Sequence, residues 1–204
     1  PGGQAQYVDP AQAAALRAEL GFDRPTVVQY GERLVAALQG DFGRSISTGR
    51  PVTATIVDAL PSTLALAGLG LGVGLVGGTG LALLATYLRR PFLRESLLSL
   101  PPLGIAVPTF WVGLMLLQVF SFQLAWFPAF GNEGFRSLVL PALTLALPTG
   151  AIVAQILASS LLATWRQPFV AIVRVRGVDR RRTHLGPVFH NAAIPTVTIA
   201  GLIV

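Results

Sequence analysis

Three long blocks without a single charged residue constrain this chain more than any other feature of its sequence. They cover residues 59–88, 96–132 and 137–165. A helix needs roughly 20 apolar residues to cross the roughly 30 Å hydrocarbon core of a bilayer, and each block is long enough to do so. The sequence therefore predicts an all-α integral membrane protein, a polytopic helical bundle. We place its transmembrane helices at 62–88, 97–122 and 138–165.

The sequence has no lysine, and its fifteen arginines indicate how the spans are oriented. They are dense in 89–96 and 166–192, whereas 123–137 holds Arg136 alone. Cytoplasmic loops of membrane proteins carry the excess of positive charge. We therefore predict that 89–96 and 166–192 are cytoplasmic loops and that 123–137 is an extracytoplasmic loop. Three crossings then place 1–61 outside the membrane.

The same charges exclude several classes of function. The formal net charge of +6 lies largely in segments that flank the spans, so we interpret it as a topology signal and predict no nucleic-acid partner. A P-loop needs a lysine, and a thiol nucleophile or thiolate metal site needs a cysteine; the sequence has neither. A hydrolase needs a nucleophile with a base, but His184 and His190 lie in the basic loop with only Asp179 as a nearby acid. We predict no catalytic residue, no metal site, no cofactor and no enzyme activity in this chain.

The polar region 1–61 is predicted to hold short amphipathic helices. One follows Pro10, and a second follows Pro25 and ends at Gly40. The segment 40–61 is rich in glycine, serine and threonine. Turn chemistry allows two interpretations of it, a solvated connector or an ordered lip beside the membrane.

Glycines in the first span predict close helix packing. Residues Gly72, Gly74 and Gly77 match the G-x-G-x-x-G dinucleotide pattern, but that motif needs a preceding strand in a soluble unit. Small residues four apart instead let membrane helices approach closely. The glycines with such spacing are Gly68, Gly70, Gly72, Gly74 and Gly78.

Prolines predict irregular helices in the other two spans. The span 97–122 contains Pro101, Pro102 and Pro108, so its helix must start late, kink or break. Its freed backbone groups can be satisfied by a neighbouring helix or by a water-filled path, and both interpretations stay open. No complete span contains a charged residue, which argues against a proton relay or a buried ion-pair mechanism.

Several motifs occur in an order that resembles a known family. The basic loop contains V-R-V-R-G-V at 173–178, and H-N-A-A-I-P follows at 190–195. Upstream are LGFDRPTVVQY at 20–30, GDFGRSISTGRPV at 40–52 and LPSTLALA at 60–67. The loop resembles the cytoplasmic EAA loop of ABC importer permeases, and the set is most similar to the oligopeptide, dipeptide and nickel branch.

The resemblance implies a prokaryotic inner-membrane permease subunit with six membrane helices. The 204 residues, which begin at Pro1 and end in an apolar run, are then expected to be a fragment, with 193–204 starting a further span. Its implied partners are a second homologous permease subunit, two cytoplasmic ABC ATPase subunits or domains that bind ATP and Mg²⁺, an extracytoplasmic substrate-binding protein and the lipid bilayer. The implied cargo is a peptide or similar small solute. Two alternatives remain: a nickel or metal-chelate permease of the same branch, or a non-transporting structural subunit.

The resemblance also implies a site within 166–192, where the family has a short coupling helix that docks in a cleft of the ATPase. Gly177 matches the glycine of that loop. Two departures are bulky residues at Ile172 and Val173 and an interruption at Gly186–Pro187. The arginine triplet pairs with ATPase acids, pairs with anionic lipid, or serves only as a topology signal. The residues implied in coupling are Arg174, Arg176, Gly177, Asp179, Arg180, Arg181, Arg182, His190, Asn191 and Pro195, the last two marking re-entry into the membrane.

Overall fold

A computed structural model describes residues 25–131 and 134–203, and these residues form helices with no named strand. The all-α prediction is confirmed. The helix predicted after Pro10 lies outside the described residues. The helices are α1 (Thr26–Leu38), α2 (Val52–Tyr87), α3 (Pro91–Leu98), α4 (Leu100–Ala106), α5 (Thr109–Leu116), α6 (Phe135–Thr164), α7 (Pro168–Val175), α8 (Arg180–Thr183) and α9 (Phe189–Ile203), with π-helical segments at Leu117–Gln123 and His184–Val188.

The chain divides into two compact units, 1–61 and 62–204. In the first unit, α1 follows Pro25 and ends where Gly40 adopts a φ of +84°. That positive φ suits glycine and stops the helix. The predicted second amphipathic helix is therefore confirmed.

The segment after Gly40 is ordered. The Val52 amide donates to the Gly43 carbonyl at 2.9 Å, and the Ser45 amide donates to the Arg50 carbonyl at 2.9 Å. An exposed ion pair joins Arg50 to Asp58 at 2.9 Å. Of the two interpretations of this segment, these bonds favour the ordered one.

Among the described residues, two helices, α2 and α6, are long and apolar enough to cross a membrane, and the bent pair 91–106 and 109–123 adds a third if it counts as one span. The helix α2 begins at Val52, well before the predicted start at residue 62, because no residue between them stops a helix and Pro61 is accommodated inside it. The helix α6 likewise begins at Phe135 and contains Pro141 and Pro148. Both predicted spans are present as helices with extended N-terminal ends.

One row of glycines brings α2 against α6. The Cβ that Gly70 lacks would lie 3.2 Å from Cβ of Leu145, and a Cβ on Gly74 would lie 3.0 Å from Cβ of Thr149. At Gly78 a Cβ would collide with the carbonyl of Gly150. Close packing is thus confirmed for this row. At Gly68 and Gly72 a Cβ would meet no described residue within 4 Å, so packing at these two positions stays a prediction.

These contacts show that α2 and α6 run in the same direction, since later residues of α2 meet later residues of α6. The chain between them must therefore run back in the opposite direction. It does so through α4 and α5, where Gly104 packs on Ala151 and the later Gly113 packs on the earlier Thr144. This order is antiparallel to α6. Two parallel helices joined by an antiparallel return are what three crossings require.

The returning segment is broken, as its prolines predict. Residues 91–106 and 109–123 form two helical parts bent by 99°. Pro108 precedes the second part in extended geometry, whereas Pro101 and Pro102 fit the first turn of α4. Within the predicted cytoplasmic loop 89–96, Pro91 starts the helix α3, whose leucine, arginine and glutamate residues favour the helical state. The cytoplasmic placement of this segment stays a prediction.

A buried cluster joins the ends of α2 and α6 to the segment that follows. Leu157 and Leu161 of α6 pack with Ala82 of α2. Val170 of α7 and Val188, next to α9, complete the cluster and are 2% and 0% exposed. The basic loop is therefore anchored at both ends on the same core as the two long helices.

Candidate functional site in the basic loop

The basic loop 166–192 is mostly helical. Pro168 stands in the first turn of α7, where its missing N–H costs nothing. The helix ends at Val175, two residues before Gly177, whose φ is +84° and whose amide donates to the Arg174 carbonyl at 3.0 Å. Only glycine adopts that backbone conformation without strain. The glycine singled out in the sequence thus ends a short helix and turns the chain.

The surface around Gly177 is basic with an apolar part. A shallow depression of about 420 Å³ is lined by Arg176, Gly177, Val178, Asp179 and Arg182. On the neighbouring face of α7, Ile172 is 56% exposed and Val175 is 89% exposed. The bulky residue at 172, a departure from the family pattern, therefore points to solvent. We call the surface formed by Ile172, Arg174, Val175, Arg176, Gly177, Asp179, Arg181 and Arg182 the basic surface.

The arginine triplet is split between two roles. The guanidinium carbon of Arg180 lies 5.1 Å from the ring centroid of Tyr87 and 5.8 Å from that of Trp165, which is cation–π geometry. Arg182 lies 3.9 Å from Asp179, and both side chains are largely exposed. Arg180 is held against the aromatic rings while Arg181 and Arg182 are exposed, and the roles predicted for the triplet stay predictions.

The residue that sequence reasoning missed is His184. Its side chain is 1% exposed, and Nε1 of Trp165 donates to its Nδ1 at 2.9 Å. Its Nε2 lies 3.2 Å from the Leu83 carbonyl and 3.5 Å from the hydroxyl of Thr86. An indole nitrogen only donates, so Nδ1 carries no proton and Nε2–H donates to Leu83. We call the cluster of Leu83, Thr86, Tyr87, Trp165, Arg180 and His184 the His184 joint.

A sequence signal for this joint existed. Tyr87 and Trp165 each stand at the end of a long apolar block, and a histidine lies in the loop that follows. Their rings now flank the imidazole, with centroids 5.5 Å and 5.7 Å away. Choosing His184 over His190 still needed the fold, because His190 is exposed on α9.

The environment of His184 favours its neutral form. Burial lowers the pKa of His184 below its ordinary value of 6.5. The hydrogen bond to the Leu83 carbonyl acts in the opposite direction, and the positive charge of Arg180 lowers the pKa again. The direction agrees with the hydrogen bonds, which a neutral imidazole satisfies at both nitrogens.

The three remaining predicted residues lie on α9, outside the depression at Gly177. The side chain of Asn191 donates to the Pro187 carbonyl at 2.7 Å, so it is bonded to the π-helical segment that precedes α9. Pro195 lies inside the helix and His190 is exposed. The interruption expected at Gly186–Pro187 is confirmed, since Gly186 has non-helical angles of −100° and −108°.

A cavity of about 540 Å³ lies between α2, α4 and α6. Glycines and aliphatic side chains line it, among them Gly74, Gly78, Pro101, Gly104 and Ala151. Among the described residues no three potential metal ligands come together. The spans therefore offer apolar space and small residues, without a charged recognition group in this cavity.

Known proteins resemble this chain over nearly all of its length. The family model described as the inner membrane component of binding-protein-dependent transport systems matches residues 78–204. A Brucella abortus protein named as a peptide transport system permease is 34% identical over 95% of this chain and 64% of its own length. The glutathione transport system permease protein of Salmonella choleraesuis is 32% identical over 94% of this chain and 63% of its own length. The chain thus spans a little under two thirds of these relatives.

Proposed function

Because the chain belongs to the family of binding-protein-dependent transport system inner membrane components, we propose that it is a permease subunit of an ATP-driven importer. It is a multi-pass inner-membrane protein of a family that transports and is not itself enzymatic. With a second homologous permease it would form the pathway for peptides or similar small solutes. A binding protein would deliver the solute, and partner ATPase subunits would bind ATP and Mg²⁺.

The single observation that carries this proposal is the basic surface anchored on the α2–α6 core. A permease must receive motion from its ATPase, so it needs an exposed docking surface tied to its membrane helices. The basic surface is exposed, and Val170 and Val188 fix the loop that bears it to the core. Packed cores transmit a displacement as rigid-body motion. Closure of the ATPase dimer would therefore move α2 and α6 together.

The distribution of arginine supports the orientation that this role needs. Positively charged loops stay in the cytoplasm, where the ATPase is found. The loop 166–192 holds six arginines after the end of α6, whereas the segment 123–137 holds one. We propose that the basic surface faces the cytoplasm and that 1–61 faces outward, toward the binding protein.

The names of the relatives support a peptide-class solute. The Brucella abortus relative is named for peptide transport and the Salmonella relative for glutathione transport, and glutathione is itself a tripeptide. The uncharged lining of the cavity at Gly74 and Gly78 fits a pathway that leaves selection to the binding protein. A metal chelate is the alternative cargo, and the experiment below includes it.

The test uses the full-length protein, purified with its partner permease and ATPases in lipid nanodiscs. ATP hydrolysis is measured with the binding protein alone, with trialanine, with glutathione and with a nickel chelate. We expect hydrolysis to rise with a peptide-loaded binding protein. A rise with the nickel chelate only would move the proposal to a metal importer. Hydrolysis that ignores the loaded binding protein would leave a structural subunit and contradict transport.

A further inference from the structure

We infer that His184 is a positioning residue that holds the basic surface against the ends of α2 and α6. A force that the ATPase exerts on the loop would then move both helices. This inference rests on the proposed function, because it assumes that the loop bears a load. It adds a residue whose side chain is buried, at 1% exposure. The residue acts only through its hydrogen bonds to Trp165 and Leu83.

Three elements meet at this one imidazole. Trp165 directly follows α6, while Leu83 and Thr86 belong to the last turns of α2. His184 lies 101 residues after Leu83 and 98 after Thr86, so these contacts are tertiary and not local. A single side chain from the loop therefore bridges the ends of the two helices that run parallel.

The chemistry of the bridge suits a neutral histidine. One edge of the ring accepts a hydrogen bond from an indole, and the opposite edge donates one to a backbone carbonyl. A phenylalanine would keep the ring contacts but leave the Trp165 N–H and the Leu83 carbonyl without this partner. A glutamine carries an acceptor oxygen and a donor NH2 on one planar group, so it offers a partner of the right kind to both the Trp165 N–H and the Leu83 carbonyl.

Arg180 closes the joint on the loop side. Its guanidinium lies over Tyr87 and Trp165, the two rings that flank the imidazole. Because Arg181 and Arg182 follow directly, the exposed arginines of the basic surface are connected to the joint through one turn of α8. Displacement of these arginines is thus carried to the ends of both helices.

The segment 177–186 needs a fixed point because the helix is broken at both of its ends. Gly177 turns the chain with a positive φ, and Gly186 has non-helical angles before α9 starts. Hinges are a few positions that absorb backbone rotation. The segment between Gly177 and Gly186 would absorb motion as a hinged arm unless something inside it is fixed. His184 and the buried Thr183 are the residues fixed there.

The experiment compares four variants in the reconstituted full-length complex: His184→Phe, His184→Gln, Trp165→Phe and the matched control Trp111→Phe. Trp111 lies half exposed on α5, away from the joint. Two quantities are measured, trialanine accumulated per ATP hydrolysed and hydrogen exchange of amides 180–188. We expect His184→Phe and Trp165→Phe to lower the transport ratio and to raise exchange about tenfold, the effect of losing roughly one buried hydrogen bond. His184→Gln and Trp111→Phe are expected to stay near wild type.

The two readouts separate the inference from the function on which it rests. A wild-type complex without stimulated hydrolysis would contradict the proposed function, and the exchange data would still decide whether the joint exists. Unchanged exchange in both His184→Phe and Trp165→Phe would overturn the joint. Raised exchange with a normal transport ratio would overturn its coupling role. Because Trp165→Phe removes the indole N–H and leaves His184 itself in place, it provides the test even where His184→Phe fails to assemble.

Discussion

Nε1 of Trp165 donates a hydrogen bond to Nδ1 of His184 at 2.9 Å, and this bond holds the loop against the end of α6. On its other edge the same imidazole reaches the Leu83 carbonyl at the end of α2. The basic loop is therefore a braced structure with its charged surface outward. Because the loop is fixed to the ends of both long helices, it can transmit motion to them, which its charge alone would not allow.

Replacing Gly177 by alanine should weaken coupling. Its φ of +84° costs a residue with a Cβ about 1–2 kcal/mol, so the turn after α7 would relax and move the basic surface. We expect fewer solute molecules transported per ATP, measured in proteoliposomes. The control is Gly72→Ala, since that glycine is helical with nothing near its missing Cβ. Equal ratios in the two variants would contradict the account of this turn.

Neighbouring glycines on α2 should differ sharply in what they tolerate. A Cβ at Gly78 meets the backbone carbonyl of Gly150, whereas a Cβ at Gly77 meets nothing within 4 Å. We expect Gly78→Ala to destabilise the packed helices by about 1–3 kcal/mol, as overpacking does. Gly77→Ala should leave stability unchanged or slightly raised. Thermal unfolding in detergent measures both, and a tolerated Gly78→Ala would show that α2 and α6 pack differently.

Stability should fall on mild acidification because of His184. Its folded-state pKa is below 6.5, so the unfolded chain binds the proton first. The contribution of the neutral imidazole is complete above pH 6.5, is lost progressively as the pH falls below it, and stops changing below the folded pKa. Unfolding of wild type and His184→Gln is followed across this range. A pH dependence that persists unchanged in His184→Gln would assign it to another group.

The arginines of the triplet should separate by function. Arg180→Gln removes a cation from Tyr87 and Trp165 and should lower stability by roughly 0.5–1 kcal/mol. Arg182→Gln loses only an exposed contact, so its stability should stay near wild type. If the basic surface docks on acidic groups, Arg182→Gln should instead reduce co-purification of the ATPase, most clearly as salt is raised. Co-purification unaffected by Arg182→Gln would reduce that residue to a topology signal.

The long helices were predictable because their cause is local. Charge-free length predicts α2 and α6, whereas the end of α7 before the positive-φ Gly177 is a finding of the structure. The spacing of the glycines was visible in the sequence, but which of the two glycine rows packs against α6 was not. Gly68 and Gly72 have the same spacing as Gly70 and Gly74, and only the position of α6 decides which row is buried.

The location of the site was predictable from the sequence, but the different roles of its arginines and histidines were not. Arginine density and the glycine motif identify the loop from sequence. Nothing local distinguishes Arg180 from Arg182 or His184 from His190, because the partners of Arg180 and His184 come from the ends of α2 and α6. The prolines likewise predict a break in the second span, while the 99° bend depends on packing against α6.

Site-specific cross-linking tests whether the basic surface contacts the ATPase. The 204 residues contain no cysteine, so a single one can be introduced at Val175, the 89% exposed residue on α7, or at Phe130, 85% exposed in the segment before α6. The full-length complex with its ATPases and binding protein is treated with a short bifunctional cysteine–lysine reagent. Val175→Cys is predicted to cross-link to the ATPase and Phe130→Cys to give no ATPase product. An ATPase product from Phe130→Cys, with none from Val175→Cys, would contradict the account.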